Sequence, residues 1–301
     1  MSRSPARSLR VGAGLLLALA ATLPAACGAA TPPAPAPAHT AQFNQRLHDL
    51  LPQAVRDRGV LRVGTDASYA PMSAFGPDGR TIIGVEPDLG EQIGRVLGVR
   101  LQFRNYEFST LLSNVARGNL DLAISAVTDT PARSRTADFV NYFRAGTSIV
   151  VQRGNPAGLS GLKSLCGKVV AVQNGTTQVD LLARTQKSCG SRPITVKRFP
   201  SNSDALVQLR TGRAAAVLND LPPAVLLVTD RRTRSDYQLA SDQQFEPGPY
   251  GIVVAKGQPQ LRDAIRGALQ ELRRNGVYDD VLARWHVQSG AVPEFTINSS
   301  R

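Results

Sequence analysis

The stretch LRVGTDASYAPMSAFGPDGRTIIGVEPDLGEQIGRVLGVRLQFRNYEFSTLLSNVARGNLDLAIS, residues 61–125, decides the fold. LRVGTD (61–66) predicts a strand closed by a turn. In 88–98, Leu89, Ile93, Val96 and Leu97 fall on one helical face, with Asp88 near the N-terminus where a carboxylate suits the helix dipole. VRLQFRNY (99–106) alternates as a strand does. STLLSNVARG (109–118) predicts a helix stopped by Gly118, and DLAIS (121–125) a further strand. Strand–helix–strand–helix–strand is the pattern of a parallel sheet covered by helices.

Working outward, RLHDLLPQAVRDRG (46–59) predicts a short amphipathic helix ending at Gly59. Downstream the pattern recurs. KVVAV (168–172) is a buried strand, NGTTQ (174–178) a tight turn and VDLLARTQ (179–186) a helix. PITVKRF (193–199) is a strand, SDALVQLRTG (203–212) a helix with Ser203 as its cap, and AAAVL (214–218) another strand. YGIVVAK (250–256) adds a strand. The segment 259–273 sets Leu261, Ile265, Ala268, Leu269 and Leu272 on one helical face, and 275–286 forms a last helix. Two α/β units joined in mid-chain leave a cleft between them, and clefts and strand carboxyl ends are where small ligands sit.

The first residues carry a different message. Arg3, Arg7 and Arg10 precede the apolar run VGAGLLLALAATL, roughly half of what a membrane-spanning helix needs. Small residues Ala25 and Ala26 then precede Cys27. This is the order of a secretory signal. Leu23-Pro24-Ala25-Ala26-Cys27 resembles a bacterial lipobox, with Pro24 where that pattern prefers leucine, which implies lipidation of Cys27. GAATPPAPAPAHTA follows as a Pro/Ala tether that cannot pack. With Cys27 assigned to the anchor, Cys166 and Cys189 remain as a pair in an oxidising compartment and are expected to form a disulfide.

The formal net charge of +12 raises nucleic acid as a partner, but the arginines are scattered and lack interleaved aromatics. A solvated surface beside anionic cell-envelope polymers accounts for it. Catalysis by a histidine-activated nucleophile finds no support, because His39, His48 and His286 lie in no loop that follows a strand. No Walker loop, dinucleotide turn or metal-ligand spacing is present, so no catalytic residue, metal or cofactor is expected.

Binding groups, in contrast, fall at predicted strand ends. Asp66 and Tyr69 follow LRVGT, Phe108 follows LQFRNY, and DLAIS opens into AVTDTPAR. QNGTTQ follows KVVAV, and Asn219-Asp220 follows AAAVL. A zwitterion needs a cation, an anion and donors for its remaining lone pairs. Arg133 offers a fork to a carboxylate and Asp220 an acceptor for an ammonium. Gly175-Thr176-Thr177 offers backbone N–H groups at a helix N-terminus, and Tyr69 and Phe108 can flank a side chain. Taken singly, Arg133 reads as a surface charge and Asp220 as a helix cap. Together, in matching places of two units, they read as a clamp.

LRVGTDASYAPMSAF, GVEPDLGEQIGRVLGV, FSTLLSNVARGNLDLAISAVTDTPARSRTADFVNYF, GKVVAVQNGTTQ and GRAAAVLND resemble the blocks of the bacterial extracellular solute-binding proteins, family 3, which serve polar amino acid ABC transporters. Val85 and Pro87 depart from that pattern. The resemblance runs from about residue 59 to 288. It implies a two-lobed, type II periplasmic-binding-protein-like α/β fold with a ligand cleft and two crossover strands near 143–150 and 243–250. The domains are then a signal to residue 27, a tether over 28–44, lobe 1 over 45–145, lobe 2 over 146–245, a return to lobe 1 over 246–288, and a tail over 289–301. By the same resemblance Asp66, Tyr69, Phe108, Ser125, Ala126, Thr128, Gln173, Thr177 and Gln178 contact ligand. Arg133 takes its carboxylate, Asp220 its α-amino group, and Asn219 helps to set side-chain preference.

The expected function is capture of a free amino acid, polar or acidic, by a monomer anchored outside the membrane that delivers it to an ABC permease. The rival is an enzyme on the same scaffold, of the cyclohexadienyl dehydratase type. It needs a cleft acid beyond the zwitterion pair, for which Glu107 and Asp129 are the near candidates. A receptor-linked sensor and a wall-binding structural protein fit less well, the first for want of a following membrane span and the second because it leaves the cleft pattern without a role.

Overall fold

The computed structural model describes residues 39–300. The basic leader, its apolar run and Cys27 lie outside the described residues. The periodicity of the sequence appears as packing. Helix Val85–Leu97 buries Val85, Leu89, Ile93, Val96 and Leu97, and helix Pro259–Arg274 buries Leu261, Ala264, Ile265, Ala268, Leu269 and Leu272. Burying a leucine or isoleucine side chain contributes about 1.5–3 kcal/mol, so these two faces account for much of what holds the first lobe together. They pack in one cluster with Leu61, Val63, Leu122, Tyr142 and Tyr250. Separate clusters around Val170, Val172, Leu181 and Leu218, and around Ala171, Leu209 and Val217, form the core of the second lobe.

A nine-stranded sheet runs through the described residues. Its path is Arg100–Asn105, Val60–Thr65, Leu122–Ala123, Phe245–Ala255, Ala137–Gln152, Ala216–Asp220, Val169–Gln173 and Thr195–Phe199, with Tyr237–Leu239 added beside the long strand. The strands at each end run parallel, as the strand–helix alternation predicts. The long strand Ala137–Gln152 pairs antiparallel with Phe245–Ala255 and, further along, with Ala216–Asp220. Both expected crossovers lie in this central pair, which is therefore common to the two lobes. Its register slips between Phe245 and Gly248 and again between Tyr250 and Gly251.

Several details depart from the sequence reading. Pro52 divides the leading helix into Gln45–Asp49 and Gln53–Arg58, because proline lacks the N–H that a helix interior requires. The cap of helix Asn202–Arg210 is Ser201, whose hydroxyl accepts from the Asp204 N–H, rather than Ser203. The expected tether does not extend to residue 44. His39 hydrogen-bonds Asp280, Ala41 is buried, and Asn44 caps the first helix and donates to Glu271. The expected tail packs as well: Phe295 is buried and sits edge-on to Tyr278. Cys166 and Cys189 form the expected disulfide.

Candidate functional site

Two pairs of strands, parallel within each lobe and running towards each other from opposite lobes, end at one place. Val60–Thr65 ends at Asp66, Leu122–Ala123 leads into Ser125 and Ala126, Val169–Gln173 ends at Gln173, and Ala216–Asp220 ends at Asp220. Loops at such ends project away from the sheet, so they wall a cleft without disturbing its ladder. One cavity is lined by Asp66, Tyr69, Phe108, Ser125, Ala126, Thr128, Arg133, Gln173, Thr176, Thr177, Gln178 and Asp220. Eleven of the twelve residues expected from the sequence are among them. Asn219 is not. Side chains alternate along a strand, so when Asp220 faces the cavity its neighbour faces away, and Asn219 is buried with its amide nitrogen unpartnered among the described residues.

Asp220 stands at the N-cap position of helix Leu221–Thr229, yet its side chain makes no capping bond. Its carboxylate instead accepts from Gln178 Nε2 at 2.6 Å and from the Tyr250 hydroxyl at 2.6 Å. Burial outweighs these donors and raises its pKa to about 6. The same burial raises the tyrosine hydroxyls of Tyr69 and Tyr250, which stay protonated and able to donate. Asp66 is buried on the opposite wall, accepting from the Ser68 N–H at 2.9 Å and from Gln173 Nε2 at 2.6 Å. Among the described residues it has no ion-pair partner.

Arg133 lies on the short helical turn Arg133–Arg135. Nη1 donates to the Thr128 carbonyl and Nη2 to the Gly175 carbonyl, each at 2.8 Å, and the guanidinium sits 5.7 Å from the centre of the Phe108 ring. Desolvation lowers its pKa, opposed by Asp180, Asp220 and Asp129, and a guanidinium remains charged through such a shift. Five N–H groups are available on an arginine, so the two carbonyls leave donors for a carboxylate.

Gly175 precedes helix Thr177–Gln186, and Thr176 occupies its N-cap position without using its side chain there. The first-turn N–H groups have no intrahelical acceptors. Glycine is required at 175 twice over. Its φ is +77°, and a Cβ there would come within 3.0 Å of Ser109 on the opposing lobe.

Further residues complete the site without a sequence signal of their own. Tyr250 comes from the shared central strand. Glu86 lies beneath the floor, accepting from the Ala126 N–H at 2.5 Å, from Ser73 Oγ at 2.6 Å and from the Tyr142 hydroxyl. Ala126 has a positive φ of 47°, a conformation disfavoured for alanine. The bond to Glu86 holds it there. The lobes also meet directly where the Asn202 N–H donates to Ser68 Oγ at 3.1 Å and the Asp220 N–H to the Tyr69 hydroxyl at 2.9 Å.

The arrangement offers one cation, two carboxylates and a ring of neutral donors, which suits recognition of a small zwitterion. It does not supply a spare acid. Glu107 is exposed and hydrogen-bonded by Ser109. Asp129 is buried and taken up by Ser134, Asn141 and Ser300.

Comparison with known proteins agrees with the fold. Residues 61–288 match the model of the bacterial extracellular solute-binding proteins, family 3. The chain is 28% identical over 256 residues to the arginine-binding protein ArgT of Corynebacterium glutamicum, covering 84% of this chain and 82% of that one. It is 26% identical over 232 residues to the L-cystine-binding protein TcyJ of Escherichia coli K12, covering 77% and 84%. Among solved structures, an ancestral arginine-binding protein bound to glutamine superposes with a TM-score of 0.70 at 32% identity, covering 76% of this chain and 99% of that one. An ancestral amino acid-binding protein described as a precursor of cyclohexadienyl dehydratase gives 0.69 at 28% identity, covering 77% and 97%.

Proposed function

This chain belongs to the bacterial extracellular solute-binding proteins, family 3, and we propose that it captures a free L-amino acid by closing its two lobes around the ligand's backbone. It is a transport-binding protein, not an enzyme, as its named relatives are. The observation that carries the ligand reading is the convergence of Arg133 and Asp220 on one cavity at the meeting of the lobes. Arg133 receives the α-carboxylate, with the N–H groups around Thr177 as further donors, and Asp220 receives the α-ammonium.

Charge arithmetic refines the ligand. Once the zwitterion has paired with Arg133 and Asp220, the Asp66 carboxylate is left, buried and without a cation. An acidic side chain would meet like charge in a low dielectric, which is strongly unfavourable. This argues against the acidic half of the sequence expectation and for a side chain that donates: an amide, or a guanidinium or ammonium flanked by Tyr69 and Phe108. The range of relatives, which are named for arginine, cystine and glutamine, supports a polar side chain of this kind.

Closure is favoured by any ligand that touches both lobes, because only the closed form makes all of those contacts. The closed form delivers its cargo to the membrane subunits of an ABC transporter. Cys27, through its lipobox-like context, ties the protein to the outer face of the membrane, where it works as a monomer. No helix among the described residues is long and apolar enough to cross a membrane. A thermal-shift panel of the common amino acids on the purified protein tests the reading. Arginine, lysine or glutamine should raise the melting temperature and glutamate should not. No shift with any amino acid overturns it.

A further inference from the structure

The family match ends at residue 288, yet the chain beyond it is not a free tail. It crosses the last helices, where Arg273 and Arg266 donate to the carbonyls of Val292 and Phe295, and then lies along the long strand. The Asn141 N–H donates to the Thr296 carbonyl at 2.9 Å, Ile297 bridges to Val140, and the Asn298 N–H donates to the Phe139 carbonyl at 3.0 Å. Asn298 adopts a positive φ of 52°, which asparagine tolerates, and turns its amide inward. Its Oδ1 accepts from the Phe139 N–H and its Nδ2 donates to Asp138, each at 2.9 Å.

The segment finishes on Asp129. Ser300 Oγ donates to Asp129 Oδ1 at 2.7 Å, and the Ser300 N–H approaches Oδ2 at 3.4 Å. The same carboxylate accepts from Ser134 and from Asn141 Nδ2. Asp129 and Ser134 are the two ends of the turn that carries Arg133, closed within by the Ser134 N–H to the Thr130 carbonyl at 2.9 Å. Asp129 also follows Thr128, whose carbonyl positions the guanidinium. A buried carboxylate stays in place only while its donors do. Part of that donor set comes from Ser300.

We infer that the segment Thr296–Ser300 is a positioning element for ligand capture: it fixes Asp129, which fixes the turn that aims Arg133 into the cleft. The inference rests on the reading of Arg133 as the carboxylate-binding residue. It assigns a role to a stretch outside the family match, and it acts through Asp129 rather than by touching the ligand.

The test is a double-mutant cycle read by calorimetry with the amino acid that the unaltered protein binds best. One arm removes residues 296–301, the other is Arg133→Lys, and the third combines them. The truncated protein should bind at least tenfold more weakly while retaining a cooperative melt. Its loss should shrink in the Arg133→Lys background, because the turn has less left to aim. Ser300→Ala should lose severalfold and Ser300→Thr, which keeps the hydroxyl, should recover it; this pair serves if the truncation does not fold. Unchanged affinity in the truncated protein and in Ser300→Ala, or a loss that adds in full to that of Arg133→Lys, overturns the inference alone. Wild-type affinity in Arg133→Lys, or no binding by the unaltered protein, overturns the clamp and the inference with it.

Discussion

Arg133 and Gly175 meet across the cleft: Nη2 of the arginine donates to the glycine carbonyl at 2.8 Å, 42 residues away in sequence. The guanidinium thus joins the lobes through the turn that opens helix Thr177–Gln186, beside the donors proposed to take the ligand's carboxylate. Arg133→Ala removes the carboxylate fork and this bridge together. Truncating one partner of a buried charge pair costs about 2–5 kcal/mol, so affinity for every amino acid should fall at least about thirtyfold. Arg133→Lys keeps the charge without the fork and should lie between. Calorimetry on both variants checks the ordering, and wild-type affinity in the alanine variant would sink the site assignment.

Asp66 should decide the sign of the side chain. In Asp66→Asn the carboxylate becomes an isosteric amide, while the α-carboxylate and α-ammonium contacts are untouched. Binding of a cationic amino acid should weaken more than tenfold, and that of a neutral amide less. Equal losses for both classes would show that Asp66 serves packing rather than selection.

Capture should depend on pH through Asp220. Its pKa is raised to about 6 by burial, above the ordinary carboxylate value, so the folded protein takes up a proton before the unfolded chain does. Stability without ligand therefore gains from this group as pH falls from 7 towards 4. Ligand acts the other way, since an α-ammonium pairs only with the ionised form. Affinity should be flat between about pH 7 and 8 and fall below about pH 6 by up to tenfold per unit. Titrations at pH 5.0, 6.0 and 7.5 check it, and Asp220→Asn should bind weakly at every pH.

The disulfide should matter to stability and not to binding. Cys166 and Cys189 are separated by 23 residues, and neither lines the cavity. Closing a loop of that size restricts the unfolded chain by about 3 kcal/mol. Melting with and without reductant should show a drop of several degrees, and calorimetry under reducing conditions should return the same affinity within about twofold.

Gly290 tests the coupling between core and site. A Cβ at this position would lie 1.9 Å from Phe143 Cζ, and Phe143 stacks on Tyr250 with ring centres 5.5 Å apart. Gly290→Ala should therefore destabilise by about 1–3 kcal/mol through overpacking. It should also weaken binding, because the displaced ring carries the Tyr250 hydroxyl away from Asp220. Adding Phe143→Leu should restore part of the melting temperature.

Much of this was legible in the sequence, for a physical reason. Elements with local periodicity announced themselves: the faces of Val85–Leu97 and Pro259–Arg274, and the strands that end at Asp66 and Asp220. A strand end is a local event, so residues just beyond it could be assigned to a cleft. Asn219 does not line the cavity, because alternation sends neighbouring strand residues to opposite faces and the resemblance marks only a position. Tyr250 and the segment Thr296–Ser300 could not be read, since each acts through pairing with residues far away in sequence. The break at Pro52 is a local signal in the sequence: an interior proline ends one helix and starts the next.

The central strand pair has a mechanical consequence. Ala137–Gln152 and Phe245–Ala255 stay hydrogen-bonded from one lobe into the other, and their register slips occur only between Phe245 and Gly251. Pro247 and Pro249 lie in that interval, and proline has no N–H to give to a ladder. Glu246 there has a φ of 46°. The connection is thus a flexure rather than a pin: stiff on either side, thinned over a few residues, and able to bend without sliding. A flexure returns along the path by which it was displaced. Each opening should bring Asp66, Arg133 and Asp220 back to the same alignment, so that a protein which must seize and surrender its cargo repeatedly does not have to search for its grip again.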